Sequence, residues 1–590
     1  MPLKCPECEK YLEKNIILCP DCGTRGLFEK NTLNSYSDLI SYFPEWMTPR
    51  PQQKAILKKI ADGIDQGYTH ILLDAGTGIG KSAIAVTLAR YFCSAYIVTI
   101  TKQLQDQYHE DFKYQVLKGR SNFDCIEGMD FNDSTCDDGL CQTADLLCDH
   151  GITRKGEFLC FYDSYGEPWY YKGNDPCHYW FQKGRSVQSP ITLMNYASFF
   201  PEMNFMDHFG ERVLAVFDEV HNMESQVMNQ ISHTLSNKSL HKDFVDYIDQ
   251  ITEEGELRGI PQISDDAFID DIEFWSEYLL NYIANYKLLL QIKDIPQKKR
   301  KSTLRTVNRL DMIRDELQNY PTEWVIEVHR EEQKVIFKPI EVSRFVPKYL
   351  LDHTDYSLLM SATILDKDHF CEWHGIDPHE TLYINVKSPF KVQNRPIYLK
   401  TAGRMSHKYI EETKPRSIAV LKTILQKYEK EKGLIHTHSH KLATYISEKI
   451  NDPRIIIYSP NGTSNYPKRE QVIKQFENSS KPLVLVAPSV DEGVDFPDDL
   501  CRFQVIYKIP FPYLGDKQIK ARMKRDGYWY AYKTVASLVQ AYGRGMRNEK
   551  DYCDSYILDD DIYSVMADRW RKCVHFLPEY FKEAVVSNTQ

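Results

Sequence analysis

The chain has 590 residues, too many for one hydrophobic core, and its length suggests roughly three to five domains. With 42% hydrophobic and 26% charged residues, no apolar run of about 18 or more, and an opening (MPLKCPECEK) unlike a signal peptide, it reads as a soluble, non-secreted protein of the cytoplasm or nucleoplasm that engages no membrane. A formal net charge of −10 excludes a global electrostatic pull towards nucleic acid, so any such path has to be lined locally with basic side chains.

Cys5, Cys8, Cys19 and Cys22 come first, as CPEC, ten residues, then CPDCG. Two CxxC knuckles at short separation can place four thiolates around a tetrahedral Zn2+. The segment is too small to bury a core, so the metal would have to hold it together; the alternative is exposed thiols on a leader. Nucleic-acid contact and protein docking both remain open as its role.

Residues 70–74 (HILLD) read as a short buried strand, followed by Ala75-Gly76-Thr77-Gly78-Ile79-Gly80-Lys81-Ser82 and a helical AIAVTLARYF. Small residues let backbone amides wrap phosphates, Lys81 would reach the β/γ-phosphates of ATP, and Ser82 would ligate Mg2+. Ala75 stands where the pattern has glycine. A second apolar run, Arg212 to Phe217, ends in Asp218-Glu219-Val220-His221. Asp218 would hold Mg2+ and Glu219 would polarise an attacking water.

Between these motifs lie Cys125, Cys136, Cys141, Cys148, Cys160 and Cys177, a density that suggests metal ligation in a reducing compartment. Residues 236–345 carry helical periodicity, interrupted by the cationic Lys298-Lys299-Arg300-Lys301, which is either a phosphate grip or a solvated turn. The second half alternates strands (GLIHTHS, RIIIYS, LVLVAPS, FQVIYKI) with helical stretches, as a second parallel sheet should. A phosphate cradle with one carboxylate pair lacks cations for the equatorial phosphate oxygens, so these must come from that second lobe.

From about residue 45 onward the chain resembles the iron–sulfur helicases of the XPD/DinG type in superfamily 2. Arg50-Pro51-Gln52-Gln53 is similar to their adenine-reading element, with Gln53 the aligned position. Thr99 to Gln107 resembles the motif touching the DNA backbone, and Ser361-Ala362-Thr363 the coupling motif. Gly493 and Asp495 sit in a stretch, Ser489 to Phe496, that resembles the EGxDF element. Gln540 to Arg547 resembles QxxGRxxR, which makes Arg544 and Arg547 arginine fingers and puts Gln540 at the nucleotide. His436 and His438 fall where the family contacts the backbone, a packed or capping histidine being the equal alternative.

The resemblance implies an α/β fold of two RecA-like motor domains. Motor domain 1 would comprise 45–116, 191–235 and 346–365, interrupted by an iron–sulfur domain (117–190) and a helical arch (236–345). Motor domain 2 would be 366–590, and a zinc ribbon (1–28) precedes them. It implies a [4Fe–4S] cluster with Cys125 and Cys177 as outer ligands. The middle pair is taken as Cys148 and Cys160, with Cys136 or Cys141 the alternatives. It also implies a monomeric, ATP-hydrolysing 5′-to-3′ helicase acting on single-stranded DNA and duplex junctions, with a protein partner at the ribbon. A translocase without processive unwinding is the second reading, and RNA as the track stays open.

Overall fold

The computed structural model describes residues 36–586 apart from 77, 127–134, 138, 140–147, 261–270, 294, 460–466, 489–495, 497, 547–550 and 568–571, together with the antiparallel pair Leu3–Lys4 and Tyr11–Leu12. Two parallel sheets organise the chain. The first consists of β1 His70–Ala75, β2 Ala95–Thr99, β3 Gln115–Val116, β4 Ile191–Asn195, β5 Arg212–Asp218, β6 Thr354–Ser361 and β7 Thr381–Val386, in spatial order β7-β1-β6-β5-β2-β4-β3. Its central strands are continuous runs of Ile, Leu, Val and Ala because helices cover both faces. Helices Pro51–Asp65 and Lys81–Phe92 pack on one face through Ile56, Leu57, Ile60, Ile84 and Leu88. The second sheet holds β8 Ile397–Gly403, β9 Gly433–His436, β10 Ile455–Ile456, β11 Val484–Ala487, β12 Phe503–Ile506 and β13 Asp554–Asp559, in order β8-β13-β12-β9-β11-β10. The two α/β lobes expected from the sequence are therefore present.

The boundary between them differs from the expected 365/366. β7 pairs with β1 from Thr381↔His70 to Val386↔Ala75, so the chain leaves the first lobe only after Val386. As an edge strand β7 is buried chiefly at Thr381 and Ile384, which gives a weaker pattern than its neighbours.

The insertions pack into the lobe rather than hang from it. Segment 117–190 forms a small antiparallel sheet (Ile152–Thr153, Phe158–Tyr162, Pro168–Tyr171) and helix His178–Gln188. Segment 236–345 is helical as its periodicity predicts: Asp271 caps a helix, Ile272–Gln291, whose buried stripe (Trp275, Tyr278, Leu279, Tyr282, Ile283, Tyr286) packs on helix Gln297–Asn319. A three-stranded antiparallel sheet, His233–Ser236 with Trp324–His329 and Lys334–Pro339, adds to it and was not anticipated. One apolar cluster runs unbroken from Leu72, Tyr96 and Phe217 through Phe161 and Trp180 to Trp275 and Leu310.

Helix Lys367–His374 joins the lobes: Phe370 and Cys371 enter that cluster, while Trp373 packs with Ile397, Tyr532 and Phe576 of lobe 2. It ends at Gly375 (φ +65°), where a Cβ would lie 2.0 Å from Ser343 O. Gly375→Ala therefore combines a left-handed backbone cost of about 1–2 kcal/mol with a backbone collision. A melting temperature lower by several degrees is expected by calorimetry; an unchanged melt would show that the connector yields freely.

Candidate functional site

The phosphate loop turns out of β1 at Ala75 and enters helix Lys81–Phe92 through Gly80, which has φ +82°. A Cβ at Gly80 would lie 2.4 Å from Gln53 Nε2, so only glycine fits. Gln53 is buried against the loop: its Oε1 accepts from Arg50 N at 2.9 Å, and its Nε2 donates to Gly80 O at 3.3 Å. Arg50 donates to Gly78 O at 2.6 Å, so the QQ segment braces the loop from behind. Ile79 anchors it in the core. Gly76 lines the cleft between the lobes, and Lys81 Nζ donates to Ala75 O at 3.0 Å, laying its ammonium over the loop. The first amides of helix Lys81–Phe92 have no intrahelical acceptor, which suits an anion.

Asp218 ends β5 beside this loop. Tyr108, buried in helix Lys102–Phe112, donates to Asp218 Oδ2 at 3.0 Å and is also hydrogen-bonded to Ser82. One hydroxyl thus ties together the two residues expected at Mg2+. Burial, then the adjacent Glu219 charge, pushes the Asp218 carboxyl above the usual carboxylate range. Burial pushes Glu219 the same way, but the His221 hydrogen bond and the charges of Lys81, His221 and Arg544 outweigh it and hold Glu219 below that range. Glu219 has φ +53°, a left-handed turn that sends consecutive carboxylates in different directions. Tyr108 was missed by sequence reasoning: it stands one residue past the quoted Thr99–Gln107 motif, and no pattern marks an isolated tyrosine.

His221 lies between the lobes. Its Nδ1 is 2.8 Å from Ser361 Oγ, 3.3 Å from Glu219 Oε2 and 3.4 Å from Gln540 Nε2. Gln540, on helix Gly527–Tyr542 of lobe 2, also donates to Thr363 Oγ1 at 3.0 Å, and Tyr532 donates to Thr363 O at 3.0 Å. Lower on that helix, Lys533 pairs with buried Glu224 at 2.8 Å, and Trp529 Nε1 donates to the same carboxylate at 2.9 Å. Arg544 is buried at the helix end, lining the cleft with Gly76, Thr363 and Gln540. That space, about 50 Å3, is narrow beside the roughly 300 Å3 of the smallest ordinary ligand pockets. His436 is fully buried, with Nε2 3.4 Å from Gln504 Oε1, and serves packing; His438 faces the groove beside His221.

The cysteines sort into two places. Cys136 Sγ lies 3.4 Å from Cys177 Sγ. Cys125 is joined to Cys136 through the Asp124↔Thr135 bridge, and both approach Gly139. Cys148 is joined to Cys177 through the Cys177 N–His150 O hydrogen bond of 2.9 Å. All four thiols are buried. Cys160 departs from expectation: it sits in strand Phe158–Tyr162 with Sγ 3.8 Å from Trp180 O and against Gly184, one to two turns along the helix that Cys177 begins. Burial pushes its thiol up to about 12. Cys136, among the alternatives, is the one that lies beside Cys177. Thr77, Cys141, Gly493, Asp495, Arg547 and the ribbon cysteines Cys5, Cys8, Cys19 and Cys22 lie outside the described residues.

Residues 46–242 match the family model for the res subunit of type III restriction enzymes, and residues 421–572 match the helicase C-terminal domain. A probable ATP-dependent helicase of Methanocaldococcus jannaschii is 22% identical, over 85% of this chain and 90% of its own length. Similar solved folds include an XPD helicase (TM-score 0.58, 15% identity, 90% of this chain and 98% of that one) and Xpd4 of S. tokodaii (TM-score 0.55, 16% identity, 91% and 100%). A phosphate loop in one parallel-sheet lobe, answered by a glutamine and an arginine from another, is the layout of a superfamily 2 motor. A helicase C-terminal model matches within lobe 2, a restriction-enzyme res-subunit model within lobe 1, and nine-tenths of the chain follows the XPD fold, so the chain has the architecture of an XPD-like superfamily 2 helicase.

Tyr108→Phe keeps the packing and removes both hydrogen bonds to the Mg2+ pair. The Mg2+ concentration giving half-maximal ATP hydrolysis is expected to rise about ten-fold or more, as outer-shell losses do, with a smaller change in kcat. An unaltered Mg2+ titration would reduce Tyr108 to a space filler.

Proposed function

We propose that this XPD-type helicase hydrolyses ATP to move 5′ to 3′ along single-stranded DNA and open duplex ahead of it. The Gln540 bridge carries the reading, because one lobe 2 side chain contacts both Thr363 and His221, and His221 touches Glu219. In the proposed cycle Lys81 and the amides of Gly78, Gly80 and Lys81 take the β/γ-phosphates, while Ser82 and Asp218 take Mg2+. Glu219, kept ionised, orients and polarises the attacking water. Arg544, with Arg547, meets charge on the transferring phosphoryl group as the lobes close. Hydrolysis removes that ligand from the joint, and the Gln540 bridge relays the change to β6 and helix Gly527–Tyr542.

A cleft of about 720 Å3 between segment 117–190 and the arch supports the single-strand path. Its walls include Arg120, Trp169, Tyr179, Trp180, Lys301 and Arg305, with the Arg120 guanidinium 4.2 Å from the Tyr179 ring centre. Aromatic faces with cations between them suit bases and phosphates of a threaded strand. The basic run divides: Lys299 pairs with Asp243 and Arg300 caps helix Ile272–Gln291 through Leu290 O, whereas Lys301 faces the cleft. Duplex junctions would meet the protein at the mouth of this cleft.

Cys125, Cys136, Cys148 and Cys177 fit a [4Fe–4S] cluster, as four buried thiols on linked loops at the edge of that path. When bound it would supply four iron–thiolate bonds and thereby fix the loops that carry Arg120 and helix His178–Gln188. Zn2+ at Cys5, Cys8, Cys19 and Cys22 remains a proposal from spacing alone, with nucleic acid or a protein as its partner.

Strand displacement on duplexes with a 5′ or a 3′ single-stranded tail tests the motor reading. ATP-dependent opening from the 5′ tail alone is expected, abolished by Lys81→Ala. Opening from the 3′ tail would overturn the polarity, and hydrolysis without opening would favour a translocase. For the cluster, Cys136→Ser should lose iron and the brown absorbance while Cys160→Ser retains both. The reverse outcome would restore Cys160 to the ligand set.

A further inference from the structure

Asp366, His369 and His575 present one ligand atom each within 4.8 Å of one another. His369 Nδ1 lies 2.9 Å from Asp366 Oδ1, and His575 Nε2 lies 3.3 Å from Asp366 Oδ2. Tetrahedral ligands about 2.0–2.1 Å from a zinc ion sit roughly 3.3–3.5 Å apart, so small shifts suffice to seat one. The segments that meet here are distant in sequence. Asp366 caps helix Lys367–His374, His369 lies in its first turn, and His575 belongs to the short helix Cys573–Phe576.

The surroundings favour a held site over a passing contact. The His369 ring is walled by Tyr528 at 4.8 Å, Trp373 at 5.3 Å and Phe576 at 5.3 Å between ring centres. Those rings fix the imidazole orientation, while the His575 side chain is 46% exposed, leaving room for water to complete the coordination.

We propose that Asp366, His369 and His575 form a binding site for a borderline divalent cation of the Zn2+ type, with solvent in the remaining positions. Two imidazoles and one carboxylate select such ions over Mg2+ and Ca2+, which take oxygen donors. The site uses no phosphate-loop residue and none of Cys125, Cys136, Cys148 and Cys177. Its place gives it a consequence: helix Lys367–His374 seats Phe370 in the lobe 1 core and Trp373 in the lobe 2 core. A cation bound there ties the C-terminal part of lobe 2 to helix Lys367–His374 of lobe 1 and opposes separation of the lobes.

The test is a Ni2+ titration of the full-length, tag-free protein by calorimetry, beside His575→Asn and His369→Gln, with folding checked by circular dichroism. Ni2+ is the probe because imidazole and carboxylate donors bind it well, and uptake at any other site is common to wild type and variants and cancels in the comparison. Wild-type protein is expected to bind one more equivalent than either variant, to melt a few degrees higher with the metal, and to hydrolyse ATP more slowly. Equal uptake by wild type and both variants would overturn the site. Lost uptake with the melting rise and slowing intact would overturn the clamp.

Discussion

Asp218 stands in register with Met360, and Ser361 follows at once, so the carboxylate expected at Mg2+ and the hydroxyl that meets His221 emerge side by side at one edge of the sheet. β1 stops at Ala75 on the same side, and the phosphate loop begins there. A ligand site outside the carboxyl ends of parallel strands is the general expectation for such sheets. Here the register adds a mechanical element. A slip of one residue between β5 and β6 would turn Ser361 into the sheet face and sever the chain from Glu219 through His221 to Thr363.

The second determinant is how the lobes meet. Glu224 is a buried carboxylate answered from lobe 2 by Lys533 and Trp529; burial raises its pKa, but the charges of Lys533 and Arg522, with the Lys533 and Trp529 hydrogen bonds, hold it at about 2. A buried ion pair adds little stability over apolar groups of equal size, but losing one partner is costly because the other charge stays buried. Glu224 therefore specifies one lobe arrangement more than it strengthens it. Lys338 with Asp516 at 3.0 Å and Gln518 with Ile340 O at 2.8 Å repeat the logic where the arch touches lobe 2. Any opening has to rehydrate these groups, a cost that nucleotide binding must offset.

Much of this was legible because function here rests on local pattern. A strand, a glycine turn and a lysine at the head of a helix announce a phosphate site wherever they occur, and the strands around Asp218 and Ser361 are buried on both faces and so read as apolar runs. What escaped depends on distance in the chain. Tyr108 earns its place from Ser82 and Asp218, neither of which is near it in sequence. Cys160 and Cys136 look equivalent as cysteines, and only the fold of the small sheet carries Cys160 up the helix away from Cys177. β7 hides because only two of its six residues are buried at the sheet edge. The basic run at Lys298–Lys301 divides between structural pairing and the cleft for a reason that only helix geometry supplies.

The unbroken apolar cluster beneath the first sheet also constrains descent. Helix Met223–Ile231 buries Val227 and Ile231, and it packs against strand Lys334–Pro339 of the arch. A single genetic deletion that removed the arch would leave these side chains facing water and favour aggregation of the shortened product. The insertion can be reshaped at its loops by ordinary drift, but a lineage could discard it only after polar residues had already replaced its seat on the lobe.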